Sequence, residues 1–258
     1  NKYKLPNIVK FNKELLKNVD VVFTALPNWE AQKISKNLKN KNILIDLAAD
    51  FRLKSASDYL KWYKIKHNAP KLIKKSIYSL PELNNKNIKK YKIISCPGCY
   101  PTSILLHLVP LINKNVVKSH NIIIDSKSGY SGAGRNIHKK YNNKFLNETL
   151  SAYGLAFHRH NSEIDQELKI KTGKKVKFQF TPHLSPMFRG ILTTMYLDLK
   201  KNDSLKKINS FLKNYYKKSK FIKIEKPNTF LGTNEVINTN NCHISVCESK
   251  YKNKIIIL

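Results

Sequence analysis

Glycine is scarce in this 258-residue chain, with eight in all and none ahead of Gly98. That absence removes from the first part of the chain the Gly-rich turn with which a nucleotide-binding sheet ordinarily opens. Four cysteines are too few for a disulfide framework at this length, and Asn1-Lys2-Tyr3-Lys4-Leu5-Pro6 contains no apolar signal core, so a cytoplasmic protein is expected. No apolar run reaches the roughly 20 residues of a membrane span. The nearest, Ile104 to Ile112, is interrupted by His107 and Pro110, and no membrane partner is expected.

Acid and arginine are also sparse. Seventeen Asp and Glu face 48 basic residues, giving a formal net charge of +31, yet only four of the 48 are Arg: Arg52, Arg135, Arg159 and Arg189. A nucleic-acid reader leans on Arg for bidentate contacts to bases and phosphates. Here the lysines are dispersed among many Asn with no basic block, so the excess reads as a compositional bias and no nucleic-acid partner is expected. A basic nucleic-acid-binding protein stands as the alternative of a different class. Where Lys is the default cation, each retained Arg marks a position that calls for a planar fork, and Gly98, Gly129, Gly132, Gly134 and Gly190 fall in the same stretches.

What the chain does have centres on Cys96-Pro97-Gly98-Cys99-Tyr100-Pro101-Thr102. A strand-like run, Tyr91 to Ile94, leads in, and a helix pattern, Ser103 to Ile112, leads out. Pro101 suits a first helical turn, so the helix is expected to start after Cys99, with Gly98 allowing the tight backbone before it. Unpaired N–H groups at a helix start favour a thiolate, the nucleophilic form. Three other readings compete: a buried structural cysteine, a thioredoxin-like Cys-x-x-Cys pair, and a zinc site completed by Cys242, His243 or Cys247. The redox pair would place its nucleophile first, and the zinc set lacks compact spacing, so no metal is expected.

Along the chain, Asp20 to Leu26 and Asn42 to Leu47 read as buried strands flanking a helix through Trp29, Ala31, Ile34 and Leu38, with Asn28 as its cap. Strand, helix, strand in so short a space makes a right-handed parallel βαβ unit. Its strands end at Leu26-Pro27-Asn28 and Asp50-Phe51-Arg52, where such sheets bind ligands. Asp50 and Arg52 fit a surface ion pair as well as a ligand contact. Tyr78 to Asn84 is turn-rich. After a strand at Asn121 to Asp125, the small residues of Ser126-Lys127-Ser128-Gly129-Tyr130-Ser131-Gly132-Ala133-Gly134-Arg135 fit a loop that admits an anion or cofactor, with Arg135 as clamp, or a loop that is merely flexible.

His158-Arg159-His160 stands ahead of a helix for which Ser162 and Asp165 resemble a capping pattern. A thiol nucleophile needs a proton shuttle, and histidine supplies one at neutral pH. A strand at Val176 to Phe180, a turn at Thr181 to Gly190, a long strand at Ile191 to Leu199, a helix Ser204 to Lys217 capped by Asp203, and strands near 221–224, 243–246 and 254–258 complete an α+β second half. The chain starts without Met and ends in what reads as mid-strand, which gives the expectation of a fragment lacking its first βαβ unit and its last segment.

Six segments occur together in one order: Asp46-Leu47-Ala48-Ala49-Asp50-Phe51-Arg52-Leu53, Tyr78-Ser79-Leu80-Pro81-Glu82-Leu83, Pro97-Gly98-Cys99-Tyr100-Pro101-Thr102, Ser126 through Arg135, His158-Arg159-His160 with Glu163, and Pro186-Met187 with Arg189-Gly190-Ile191. Together they resemble the N-acetyl-gamma-glutamyl-phosphate reductase family, relatives of aspartate-semialdehyde dehydrogenase. This sequence departs from that pattern at Asn28, Cys96 and Ser162. The resemblance implies an α/β fold: an incomplete NADP-binding Rossmann-type parallel sheet over residues 1–98, then an α+β catalytic and dimerisation domain over 99–258 with a mixed, mostly antiparallel sheet.

It implies NADPH-dependent reduction of a small-molecule acyl phosphate, N-acetyl-glutamyl phosphate, to the semialdehyde through a cysteine thioester, in arginine biosynthesis, by a homo-oligomer. Another acyl-phosphate reductase, such as aspartate-semialdehyde dehydrogenase, is the alternative within the class. Cys99 is the expected nucleophile and His158 the first choice for its acid/base partner, oriented by Glu163, with His160 as the second choice. Pro27, Ser128, Gly129, Ser131, Gly132 and Gly134 are expected at the cofactor, and Arg135, Arg159, Arg189 and His160 at the substrate.

Overall fold

The apolar runs around Val22 and Leu44 become parallel neighbours. In a computed structural model, which describes residues 7–84, 88–134, 137–201 and 203–258, β1 (Val21–Thr24) pairs with β2 (Ile43–Asp46) and sets Thr24 opposite Asp46. β3 (Ser76–Tyr78) and β4 (Ile93–Ser95) complete an all-parallel sheet in the order β1-β2-β4-β3. The crossover helix is α1 (Glu30–Ser35), and α2 (Ala56–Tyr63), α3 (Pro70–Ile73) and α4 (Pro81–Asn84) follow. The chain divides by its contacts into units 1–97 and 98–258.

Local capping in the first unit differs from expectation. Asn28 does not cap α1: the N-cap is Trp29, in the left-handed region at φ 74°, with no cap bond from its own side chain. Asp50 serves instead, accepting from the N–H groups of Trp29 at 2.6 Å and Gln32 at 3.3 Å. It also accepts the Tyr59 hydroxyl at 2.9 Å. Asp50 and Arg52 are therefore not a surface pair. Both are buried, and Arg52 donates to the carbonyls of Cys96 at 2.8 Å and Leu47 at 2.9 Å. Buried polar groups hold their places only when so satisfied, and these two tie the strand ends together. Leu44, Phe51, Ala69, Ile73 and Ile93 form the core beneath them.

The second unit is built on α5 (Cys99–Asn113), apolar on all sides and buried from Ile104 to Ile112. Such a helix belongs inside a fold, and it packs against β8 (Ile191–Asp198) and α8 (His160–Thr172). Pro110 sits within it and has no N–H for the Leu106 carbonyl. The Tyr216 hydroxyl fills that gap, donating to Leu106 O at 2.6 Å.

The sheet orders β5 (Ile122–Gly129), β6 (Ser151–Ala152), β7 (Phe178–Ser185), β8 (Ile191–Asp198), β11 (Val246–Glu248) and β12 (Lys254–Ile257) as β11-β12-β8-β5-β7-β6. β5 and β7 run parallel and the other neighbours antiparallel, so the sheet is mixed and mostly antiparallel. β9 (Ile222–Ile224) and β10 (Cys242–Ile244) form a separate parallel pair, so the single strand expected near 243–246 is two. α6 (Ile137–Lys140) and α7 (Asn143–Glu148) precede β6, and α9 (Leu205–Tyr215) packs against β9 and β11. No helix among the described residues is long and apolar enough to cross a membrane.

Several boundaries move. α5 opens at Cys99 itself rather than at Pro101, and α8 opens at His160, which puts Ser162 inside the helix, its hydroxyl on Arg159 O at 2.6 Å. Ser204, not Asp203, caps α9 by accepting from Lys207 N at 3.3 Å, while Asp203 pairs with the Lys207 ammonium. Ser126 to Gly129 continue β5 instead of forming a loop, and β7 runs on to include His183.

Candidate active site

Cys99 is the first residue of α5 and is exposed. Gly98, its N-cap, makes the site possible by what it lacks. A Cβ on Gly98 would lie 2.4 Å from Nε2 of His160 and within 2.9 Å of two ring carbons, so the imidazole occupies the space beside the residue that precedes Cys99. Glu163, fully buried in the first turn of α8, accepts the Gly98 N–H at 3.0 Å. Its other oxygen stands 3.8 Å from His160 Nε2. The N-termini of α5 and α8 are thus joined through one carboxylate, which answers an orphan helix-end donor and faces the imidazole.

His158 takes a different place. Its Nδ1 accepts the backbone N–H of His160 at 3.2 Å, so it serves as a cap at the start of α8. Its ring meets Tyr100, Tyr153, His160 and Phe180 edge-on, with centroids 4.7 to 5.7 Å apart. Burial, with further contributions from His160 and Arg159, pushes its pKa down to about 4, so it is a neutral ring at physiological pH. His183 is drawn to Asp125, Nδ1 to Oδ1 3.0 Å.

Tyr100 and Tyr153 join the ring cluster around His158, a place that sequence reasoning did not give them. The Tyr153 hydroxyl donates to that of Tyr100 at 3.1 Å, and Tyr100 donates to His183 O at 3.1 Å. Burial moves both phenols' pKa values upward, keeping them protonated donors. Tyr100 stood within the cysteine motif and was legible there. Tyr153 had no local mark.

A cavity of about 190 Å³ adjoins Cys99, with Thr102, Ser103, Thr193 and Asn241 among its walls. Ser103 and Ser126 both bond the Thr193 hydroxyl, at 2.9 Å each, carrying a polar chain into the sheet. Cys96, by contrast, has its pKa raised by burial and then by Asp46, which opposes a reactive thiolate there.

The small-residue stretch and the Arg189 turn come together. The N–H groups of Gly129, Tyr130 and Ser131 donate to the carbonyls of Gly190, Met187 and Phe188 at 2.9 to 3.0 Å. Gly129 is required by that approach, since its Cβ would meet Phe188 O at 2.6 Å. Ser128 is buried, its hydroxyl on Gly129 O. Ser131, Gly132 and Gly134 are exposed, and Gly134 (φ +83°) has open space around it. Arg159 and Arg189 are exposed, Arg189 over the Phe188 ring at 5.0 Å. Arg135 lies outside the described residues.

In the first unit, Pro27 follows β1 at the carboxyl end of the parallel sheet. Thr24 donates to Asp46 Oδ1 at 2.8 Å there. Asp46 Oδ2 and Ser95 Oγ, on adjacent strands in register, are buried with no hydrogen-bond partner among the described residues. Open parallel sheets bind ligands beyond the carboxyl ends of their strands, and these two orphaned polar atoms stand at that end, which fits a cofactor there.

The model of the semialdehyde dehydrogenase NAD binding domain matches residues 1–91, and that of the semialdehyde dehydrogenase dimerisation domain matches 99–258. The chain is 41% identical over 246 residues to N-acetyl-gamma-glutamyl-phosphate reductase of Desulforamulus reducens, covering 95% of this chain and 71% of that protein. It is 43% identical over 242 residues to the same enzyme of Thermoanaerobacter pseudethanolicus, covering 93% and 69%. Against the probable chloroplastic enzyme of Arabidopsis thaliana it is 39% identical over 255 residues, covering 99% and 64%.

Among solved structures, aspartate semialdehyde dehydrogenase from Francisella tularensis superposes with a TM-score of 0.67 at 13% identity, covering 96% of this chain and 78% of that one. The Candida albicans enzyme with NADP gives 0.61 at 14%, covering 92% and 71%. These two carry the fold alone. With both family models matched and relatives near 40% identity along almost the whole chain, the chain belongs to the semialdehyde dehydrogenase family, among its N-acetyl-gamma-glutamyl-phosphate reductases.

Proposed function

We infer that this chain reduces N-acetyl-glutamyl phosphate to the semialdehyde, with Cys99 as nucleophile and His160, rather than the first-choice His158, as its acid/base partner. The observation that carries this reading is the His160 imidazole seated against Gly98, one residue from a thiol at a helix start. The thiolate, favoured by the α5 N–H groups, attacks the acyl carbon; the bond to the phosphate oxygen breaks and phosphate leaves with its electron pair. When bound, NADPH would supply the hydride that reduces the resulting thioester. His160 gives a proton to the oxygen of the hemithioacetal and removes it as the C–S bond breaks, releasing aldehyde and thiolate. Glu163 holds His160 toward this oxygen, and His158 fixes the turn from which His160 projects.

Pro27, Ser128, Gly129, Ser131, Gly132 and Gly134 are the cofactor contacts of this reading, and Arg135, Arg159 and Arg189 its anion contacts. Residues 1–98 serve the cofactor and 99–258 the chemistry and pairing of two copies. Four free cysteines suit the reducing cytoplasm, and the dispersed lysines argue for small-molecule rather than nucleic-acid partners.

The test is phosphate-dependent NADP reduction by the full-length chain with N-acetylglutamate semialdehyde, with aspartate semialdehyde as the competing substrate. Cys99→Ser abolishes turnover and Cys96→Ser leaves most of it. Equal, complete loss from both would turn the reading toward a dithiol redox site.

A further inference from the structure

We propose that the first unit carries a second ligand site, for an organic anion with an apolar body and a phosphate-type group, at the end of its sheet opposite the cofactor end. The site is a cleft of about 590 Å³, the size that encloses a drug-sized ligand. Asn42 and Lys92, which line it, immediately precede β2 and β4, so it opens at the amino ends of the parallel strands. Asp46 and Ser95 stand at the carboxyl ends of those same strands.

Its floor is Leu38, Ala69, Leu72 and Ile93, continuous with the core around Leu44 and Phe51, which makes that wall rigid. Its rim carries Lys36, Lys39, Lys71, Lys75 and Lys92, and no acidic residue lines it. In a chain where Lys is the default cation, lysine number alone says little. The arrangement says more. Elsewhere in this unit Lys17, Lys33 and Lys41 pair with Glu14, Glu30 and Asp20. On the rim the contacts are to neutral acceptors: Lys36 to Asn68 Oδ1 at 2.8 Å, and Lys92 to the Asn40 carbonyl. Five exposed lysines thus rim a concave apolar floor whose lining holds no carboxylate, Glu14 reaching only Lys39 from outside it, and the net positive field at the rim favours an anion. Ammonium groups bind phosphate oxygens as point charges, and the apolar floor takes the body of the molecule.

Calorimetric titration of the full-length chain with 1-naphthyl phosphate, in saturating NADP, tests this. Saturable binding is expected, with 1-naphthol and inorganic phosphate each at least about tenfold weaker, a loss of about 1.4 kcal/mol for either half. Lys71→Glu with Lys75→Glu, both exposed positions, weakens binding by a further tenfold or so while turnover at Cys99 is unchanged, which also shows the variant is folded. Absence of binding, equal affinity in the double variant, or displacement of the probe by an acyl phosphate substrate analogue would each overturn the proposal. None of these outcomes bears on the chemistry assigned to Cys99.

Discussion

The His160 imidazole occupies the position that a side chain on Gly98 would need, its Nε2 2.4 Å from where Cβ would stand. Gly98 is therefore fixed by a contact 62 residues along the chain (160 − 98), not by its own backbone, whose φ of −65° any residue adopts. Gly98→Ala pushes the ring from the thiol. A displacement of about 1 Å costs about 10²-fold in rate, so kcat should fall by about that much while iodoacetamide still alkylates Cys99. Unchanged kcat would remove His160 from the reaction.

His160→Asn and His158→Asn should separate the two rings. Removing the acid/base group costs ~10²–10⁴-fold in kcat, expected for His160. Replacing His158 removes the Nδ1 that accepts the His160 N–H and the ring packed on Tyr100, Tyr153 and Phe180, read as a lower Tm with a smaller change in kcat. The reverse pattern would restore His158 as the partner.

His158 also sets an acid limit on the second unit. Its folded pKa is pushed down to about 4 from 6.5, so between those values the unfolded chain holds the extra proton. Stability from this group is complete above about pH 6.5 and is lost as pH falls toward 4, by about 2–3 kcal/mol at about 1.4 kcal/mol per unit. Denaturant titrations at pH 7 and pH 4.5 should show a smaller loss in His158→Asn than in the parent, the remainder coming from His107 and His67, whose pKa values burial also lowers.

Asp46 works in the opposite sense in the first unit. Burial, outweighing the Thr24 hydroxyl, pushes its pKa up to about 6 from 3.8. The folded state then keeps a proton the unfolded chain has released, so this contribution is full below about pH 3.8 and lost as pH rises through 6. Asp46→Asn keeps an acceptor for Thr24 and carries no charge, and should stabilise the protein at pH 7 by about 1–3 kcal/mol. A lower Tm at pH 7 would show the carboxylate to be held by a partner.

Tyr216→Phe should destabilise the second unit. It leaves the Leu106 carbonyl, already without its intrahelical donor at Pro110, buried and unbonded, a cost of about 1–3 kcal/mol. Thermal unfolding measures it, and a shift within error would mean that water reaches the Leu106 carbonyl.

Local chemistry wrote much of this protein into its sequence. The apolar runs that became β1, β2, β5 and β8 were legible because their period and length are set by neighbours in the chain. The thiol at a helix start was legible because proline and glycine act within one turn. Other features were not, because their partners are distant in sequence. The start of α1 depends on Asp50, 21 residues from Trp29. Ser126 to Gly129 read as a loop by composition yet are strand, because β7 and β8 pair with them on both sides. His158 and His160 differ by two positions and carry the same chemistry, so no local rule ranks them. Only packing decided that one ring caps α8 and the other lies on Gly98, since a shared carboxylate, Glu163, ties the N-termini of two helices together.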